Sequence, residues 1–498
     1  MEYFINCNSS PLAEYNTPMD KTRAEHLYRR LGFSASIQTI NAAVGETAGN
    51  LVNTLVNQAL AAPVIPAPEW ADWTNANYPE DDDLARQIRR AQQEEFKLSY
   101  INSLLDNNLR DRMSFFWSNH FVTELDVYNC SSFLYYYINC LQRNALGNFR
   151  TFVSEIGLTS AMLYYLDGVR NRGSNPNENY ARELYELFTL GEGNGYTEDD
   201  IIETAKSLSG YTERGEEGCT QVTFNPENFN TDNKTIFGQT GNWGYDETID
   251  ILFTQKADLI AGFICKKLYE FFVHPDSTND EGGNAPDIIA GMAQRMVSSN
   301  FEIAPVLSEL FKSQHFFDET AIGVIIKSPY DLYLNFFKET GFTYNDSNLL
   351  FVDGSTELLG QELFDPFDVA GWQRDRQWIN TNFIIGRWLS MEELLGNLHN
   401  ANNEQFRIFG IEATNATGAN GNTENDPEVV ARAIIEKITP KGLLEDSQYD
   451  AAITVFREPF EDTNMFESGS WNMTLENTDV QVYLLLLHLS RQPEFQLK

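Results

Sequence analysis

The chain has 498 residues, with 72 Asp or Glu against 35 Lys or Arg and a formal net charge of −37. It contains no run of five or more basic residues, so it repels phosphate backbones; nonspecific nucleic-acid binding is excluded, and metal cations or cationic groups are better-matched partners. With 42% apolar and 13% aromatic residues it has ample material for a core and is a globular protein.

The N-terminal segment lacks a basic stretch followed by an apolar one. No secretory signal is read there, and a cytoplasmic location is the default expectation. Apolar residues recur at i, i+3 and i+4 over 22–31, 48–61, 84–105, 108–121, 131–146, 148–156 and 176–190. The same period continues over 198–209, 246–254, 256–272, 286–299, 303–313, 318–340, 383–400, 427–437 and 476–491. Strand signals are confined to 221–224 and 235–237, which read as one hairpin around an Asn/Pro-rich loop. The expected fold is therefore mainly α, a large multi-helix single unit over 1–498, with one small β-hairpin near 219–240 inside an excursion at 211–245. Stretches 275–286 and 414–427 are rich in Gly, Asn and Asp and read as surface loops. The most apolar run, 482–489, is far too short to span a bilayer. Five cysteines form no CxxC pair. If Cys130 and Cys140 share a helix they lie about 15 Å apart, too far to bridge, so reduced structural thiols are expected.

The most informative stretch is NPNENYARELYELFTLG at 175–191. Asn175 as N-cap, Pro176 at the first helical position and Glu178 three residues on predict a helix start, and Gly191 or Gly193 predicts its stop. Tyr180, Leu184, Leu187 and Phe188 fall on one side of that helix, with Asn179, Glu183 and Glu186 on the other. Glu183 and Glu186 are close enough to share a cation or to raise one carboxyl by like-charge repulsion, unless Arg182 simply screens a solvated face. Upstream, FWSNHF at 116–121 carries His120, either a general base, a metal ligand or a hydrogen-bonded core residue. Trp372 and Trp378 wall a pocket or fill the core.

Nine pieces occur in order: HLYRRLGFSAS (26–36), FWSNHF, ALGNFR (145–150), NPNENYARELYELFTLG, GYTEDD (195–200), KTIFGQTGN (234–242), IKSPYDL (326–332), FDPFDVAGW (364–372) and PEFQLK (493–498). Together they closely resemble a bacterial family catalogued as domain of unknown function number 1800, over almost the whole chain. The resemblance implies a single, mainly helical unit in which the asparagine-rich helix start, Glu183, Glu186 and the Trp117/Asn119/His120 segment meet at one site. It also implies frequent export and a functional link to a sulfatase-like partner family. The chain departs from the family pattern at Ser118, where a second His is common, and at Gly210-Tyr211-Thr212, where a Trp is usual. The first departure weakens a two-histidine metal site.

No HExxH, CxxC, GxSxG or GxxxxGK[ST] motif is present. Two carboxylates on one helix stripe cannot straddle a glycosidic bond, so Asp167 or Asp368 would have to complete such a pair. Two functions remain. One is a hydrolase in which Glu183 and Glu186 bind a divalent ion or act as acid and base and His120 transfers a proton. Trp117, Asn119, Asn177, Asn179, Arg182 and Trp372 then contact the substrate, and a carboxylate-rich site favours Ca²⁺ or Mg²⁺ over Zn²⁺. The other is a non-catalytic binding or assembly protein whose polar motifs form a buried hydrogen-bond network.

Overall fold

Helix starts in this chain follow short capping motifs, and one of them organises the interior. In Ser328-Pro329-Tyr330-Asp331 the Ser328 hydroxyl accepts the Asp331 N–H at 3.2 Å, and the Asp331 carboxylate accepts the Ser328 N–H at 3.1 Å. The Pro329–Thr340 helix that follows buries eleven of its twelve residues. A helix buried on every side sits at the centre of its fold. The computed structural model describes residues 10–106, 108–212, 218–278, 284–415, 425–460 and 464–498. Among them are 23 α-helices and two small antiparallel ladders, a mainly α fold. None of these helices is long and apolar enough to cross a membrane.

Most of the expected helices are present, with three instructive differences. The periodicity over 318–340 yields a helix only from Pro329, because the residue before a proline is driven out of the α region, and Ser328 is extended at ψ 165°. The helix expected from Pro176 starts at Asn179 instead. Asn175 does not cap it: its N–H turns back onto the Arg172 carbonyl at 2.9 Å, and the Asn177 side chain accepts the Asn179 N–H at 2.9 Å. Unexpected helices appear at Asp346–Leu358, Glu404–Asn415 and Asp446–Arg457. In the second, Gly410 weakens the helical signal, and its bare backbone lets the Met473 and Val482 side chains pack close, 2.7 and 3.1 Å from where a Cβ would stand.

The two predicted strands exist but do not pair with each other. Thr223–Phe224 pairs with Tyr211–Thr212, and Lys234–Ile236 pairs with Gln239–Gly241. The second ladder is a true hairpin whose turn residues, Phe237 and Gly238, both have positive φ (49° and 78°). A local turn thus outcompeted pairing across the longer loop. Of the loops expected at 275–286 and 414–427, residues 279–283 and 416–424 lie outside the described residues; Ala285 already begins the helix to Ser298, the helix from Glu404 runs on to Asn415, and Pro427 begins the helix to Ile438. The apolar 482–489 run is part of the Thr478–Ser490 helix, where Val482, Leu485, Leu486 and Leu489 are buried. That helix packs against Glu404–Asn415 and Asp446–Arg457, while Ala257–Phe272 packs against Ala285–Ser298.

The cysteines correct an expectation. Cys130 precedes the helix that holds Cys140 and is bonded not to it but to Cys219, 89 residues on; Cys140 and Cys265 are free and buried. Spacing along one helix excluded one pairing and carried no information on a partner brought in from the 218–224 segment. Such bonds are kept in oxidising compartments, so the redox state of this pair reports where the protein works.

A thiol titration of the denatured protein checks the bond: reduction is expected to release the two thiols of Cys130 and Cys219, and no gain of thiols on reduction contradicts it. Replacing both Cys130 and Cys219 by Ser is expected to cost about 2–5 kcal/mol of stability.

Candidate functional site

Asp331 and Glu339, about two turns apart on the central helix, each gather cations. Asp331 pairs with Arg112 Nη1 at 2.7 Å and Lys498 Nζ at 2.5 Å. Glu339 pairs with Arg29 Nε at 2.6 Å, and Glu25 lies 3.5 Å from Lys437 Nζ. Burial alone would raise the Asp331 carboxyl, but Arg112 and Lys498 overcome it and hold the group well below the usual carboxylate range. Arg112 is also sandwiched between the Phe33 and Phe271 rings, 4.6 Å from each centroid.

Positive charge is in excess here. Around this helix seven buried cations, Arg29, Arg30, Arg112, Lys327, Arg387, Lys437 and Lys498, face three buried side-chain carboxylates, Glu25, Asp331 and Glu339, among the described residues. Arg30 is the extreme case: it is 1% exposed, donates from Nη2 to the Ala321 carbonyl, and leaves Nε and Nη1 without partners. Burial, followed by the charge of Arg112, pushes its guanidinium down to about 9.

Beside this cluster opens a cavity of about 280 Å³. The buried pair Asp331 and Lys498 lines its inner end, together with Ser328; Phe116, His120, Lys267 and Trp372 form its walls; the exposed Arg374 stands at its rim. Lys267, on the Ala257–Phe272 helix, donates to His120 Nδ1 at 3.2 Å and to the Leu187 carbonyl at 3.3 Å, with its Nζ 4.7 Å from the Phe263 centroid. His120 Nε2 donates to the Phe188 carbonyl at 3.0 Å. A carbonyl only accepts, so the proton sits on Nε2 and Nδ1 presents a lone pair to Lys267. Burial first, then the Lys267 charge, lower His120 and keep the ring neutral. Burial, then Arg374, lower the Lys267 amine to about 8.

Local backbone geometry supplies both carbonyls. The helix beginning at Asn179 widens into a π-turn over Leu184–Thr189, with Leu190 N–H bonding the Tyr185 carbonyl, and stops at Gly191, φ 92°. The last carbonyls of a helix have no partner within it and carry its negative end. Those of Leu187 and Phe188 therefore suit a lysine and an imidazole N–H.

Of the residues expected from the sequence, Asn119, His120 and Trp372 meet at this cavity. Asn119 Oδ1 accepts the Trp372 N–H at 2.6 Å. Gly371 is required between them, since its φ is 90° and a Cβ would fall 2.3 Å from Asn119 Oδ1. Trp378 also lines the cavity, whereas Trp117 is fully buried behind His120 with its indole N–H on the Ala145 carbonyl. Glu183, Glu186, Asn177, Asn179 and Arg182 are not among the lining residues. Arg182 bonds Glu178, Glu186 and Glu198 at 3.4, 3.3 and 2.8 Å, and so already supplies the cation at this acidic stripe. Glu183 is raised by burial first and by Glu186 second. Asp167 pairs with Arg170, and Asp368 caps the Ala370 N–H. No group of three or more His, Cys, Asp or Glu among the described residues is placed to hold a metal ion.

Sequence reasoning missed Lys267, Asp331, Lys498, Arg30, Arg112 and Arg374. Three of them sit in quoted segments: Arg30 in HLYRRLGFSAS, Asp331 in IKSPYDL and Lys498 in PEFQLK. Lys267 carried a weaker signal, a cation one turn from Phe263 on an otherwise apolar face.

The sequence model of the family described as protein of unknown function (DUF1800) matches residues 26–497, nearly the full chain, and the chain belongs to this family. No curated protein and no solved structure matches it.

Removing the Asp331 charge strands two buried cations. Asp331→Asn is expected to cost about 3–5 kcal/mol, and Glu186→Gln, beside the solvent-facing Arg182, under about 1 kcal/mol. Urea unfolding of the two variants decides this, and equal losses contradict it.

Proposed function

We propose that this DUF1800 member is a hydrolase acting on a small molecule held in the cavity. Lys267 is its proton-transfer group, His120 the residue that positions it, and Phe116 and Trp372 the walls that pack the substrate. One observation carries this: an amine with no carboxylate ion pair among the described residues faces a cavity, fixed there by a neutral imidazole and a helix-end carbonyl. At about 8 the amine is partly uncharged near neutrality and is able both to take and to return a proton. In its neutral form Lys267 takes a proton from water. The hydroxide so formed attacks the electrophilic centre, and the ammonium returns the proton to the leaving group. Glu270, which lines the cavity and pairs with Arg374 at 3.3 Å, supplies the carboxylate near this pair. The glutamates 183 and 186, with a Ca²⁺ or Mg²⁺ ion between them, are not needed for this chemistry.

A second function, binding without catalysis, draws support from the asparagines. Asn119 Oδ1 is engaged by the Trp372 N–H, Asn171 Oδ1 by the Asn177 N–H, and Asn177 Oδ1 by the Asn179 N–H, all backbone-organising bonds.

Turnover of chromogenic esters, phosphoesters and glycosides separates the two. For a hydrolase, Lys267→Met lowers kcat/KM by about 10²–10⁴-fold. The wild-type rate rises through pH of about 8, and His120→Gln shifts that limb. Turnover untouched by Lys267→Met contradicts the assignment. The same amine leaves a mark on stability. Its folded-state value, about 8, lies below the ordinary 10.5, so between those values the unfolded chain binds the extra proton and stability rises with pH. Lys267→Met is expected to raise stability below pH 8 and to make that rise shallower by one proton's worth, as read by thermal unfolding at fixed ionic strength.

A further inference from the structure

Three buried cations, Arg30, Arg112 and Lys498, share a single side-chain carboxylate, Asp331. Of the acids nearby, Glu339 is engaged with Arg29, Glu25 with Lys437, and Glu270 with Arg374 and Lys266, while the part-exposed Asp375 also lines the cavity. Arg30 makes no ion pair among the described residues, and two of its nitrogens have no hydrogen-bond partner. Buried charge without a counter-charge is costly, and proteins retain it where a ligand supplies the missing partner. The cavity ends against this surplus.

We propose that this buried end of the cavity is a subsite for a small oxyanion, a carboxylate or phosphoryl group carried by the substrate, recognised by Lys498 and Ser328 with Arg30 and Arg112 behind them. As a substrate subsite it rests on the hydrolase assignment above. The donors are in place. Lys498 Nζ gives one proton to Asp331 and keeps two for a ligand. Ser328 Oγ accepts the Asp331 N–H and retains its own hydroxyl proton. Phe115, Phe271 and Ile325 contribute apolar wall to the cavity, and Lys498 is itself buried, which strengthens a charge-assisted bond made there.

Calorimetry and thermal unfolding with sodium phosphate and with sodium acetate, at ionic strength held constant with NaCl, test this on the full chain. Saturable binding of at least one probe is expected, about ten-fold or more weaker in Lys498→Met, since one charge-assisted bond is lost. Arg30→Met provides an independent arm. Removing an unpaired buried charge is expected to raise the melting temperature without anion and to shrink the anion-induced increase, whereas a purely structural Arg30 would lower the melting temperature. Lys267→Met is expected to keep anion binding. Competitive inhibition of turnover by phosphate or acetate supports a substrate-borne group, and noncompetitive inhibition overturns the substrate-subsite assignment. No saturable binding in the wild type, binding unchanged in Lys498→Met, or binding lost only in Lys267→Met each overturns the proposal. Anion binding alongside turnover that ignores Lys267→Met sinks the hydrolase assignment instead, so the two failures are distinguishable.

Discussion

The Asp331 carboxylate, clamped between Arg112 and Lys498 out of water, joins three distant parts of the chain. Arg112 lies 219 residues before it and Lys498 167 after. One turn pair further along the same helix, Glu339 takes Arg29 from 310 residues away, and Arg29 in turn donates to the Lys437 carbonyl. Ion pairs of this kind contribute little net stability compared with a well-packed apolar core. What they impose is register: a buried charge that misses its partner is heavily penalised, so the central helix accepts only one arrangement of the segments around it.

The same requirement shapes the cavity. Its inner end is the place where the count of charges fails to balance, and its wall carries a lysine that a helix end, a neutral imidazole and an aromatic ring hold with no carboxylate ion pair among the described residues. Burial first, and neighbouring cations second, make both Lys267 and Lys498 easier to deprotonate. A molecule with an anionic group at one end and a scissile bond at the other would meet the first need at Lys498 and the second at Lys267.

Much of the fold was legible because long helices announce themselves by period and caps. Gly191 stops its helix as its position suggested, and the mainly α class follows from the same signals. What escaped was nonlocal. The strand at Thr223–Phe224 chose Tyr211–Thr212 over its predicted partner, and Cys130 chose Cys219, because pairing depends on which segments the helices deliver side by side. The site divided along the same line. Asn119, His120 and Trp372 stood out as chemistry-bearing residues in aromatic and turn-rich motifs and do meet. Glu183 and Glu186 stood out equally, by spacing on one helix, but spacing says nothing of Arg182 folding over them or of a cavity on the other side of that helix. Asp331 drew no separate reading within IKSPYDL; it caps its own helix, and that it is also the anchor of the interior became visible only once Arg112 and Lys498 were placed around it.

The central claim is that the interior holds more positive charge than it can pair, and that an anion makes up the difference. Proton linkage tests it most directly: calorimetric titration of phosphate at pH 8 in buffers of different ionisation enthalpy. If the claim holds, the bound anion raises the depressed amines of Lys498 and Lys267, and a measurable fraction of a proton is taken up per anion bound, less in Lys498→Met. Binding heats that do not depend on the buffer would contradict it.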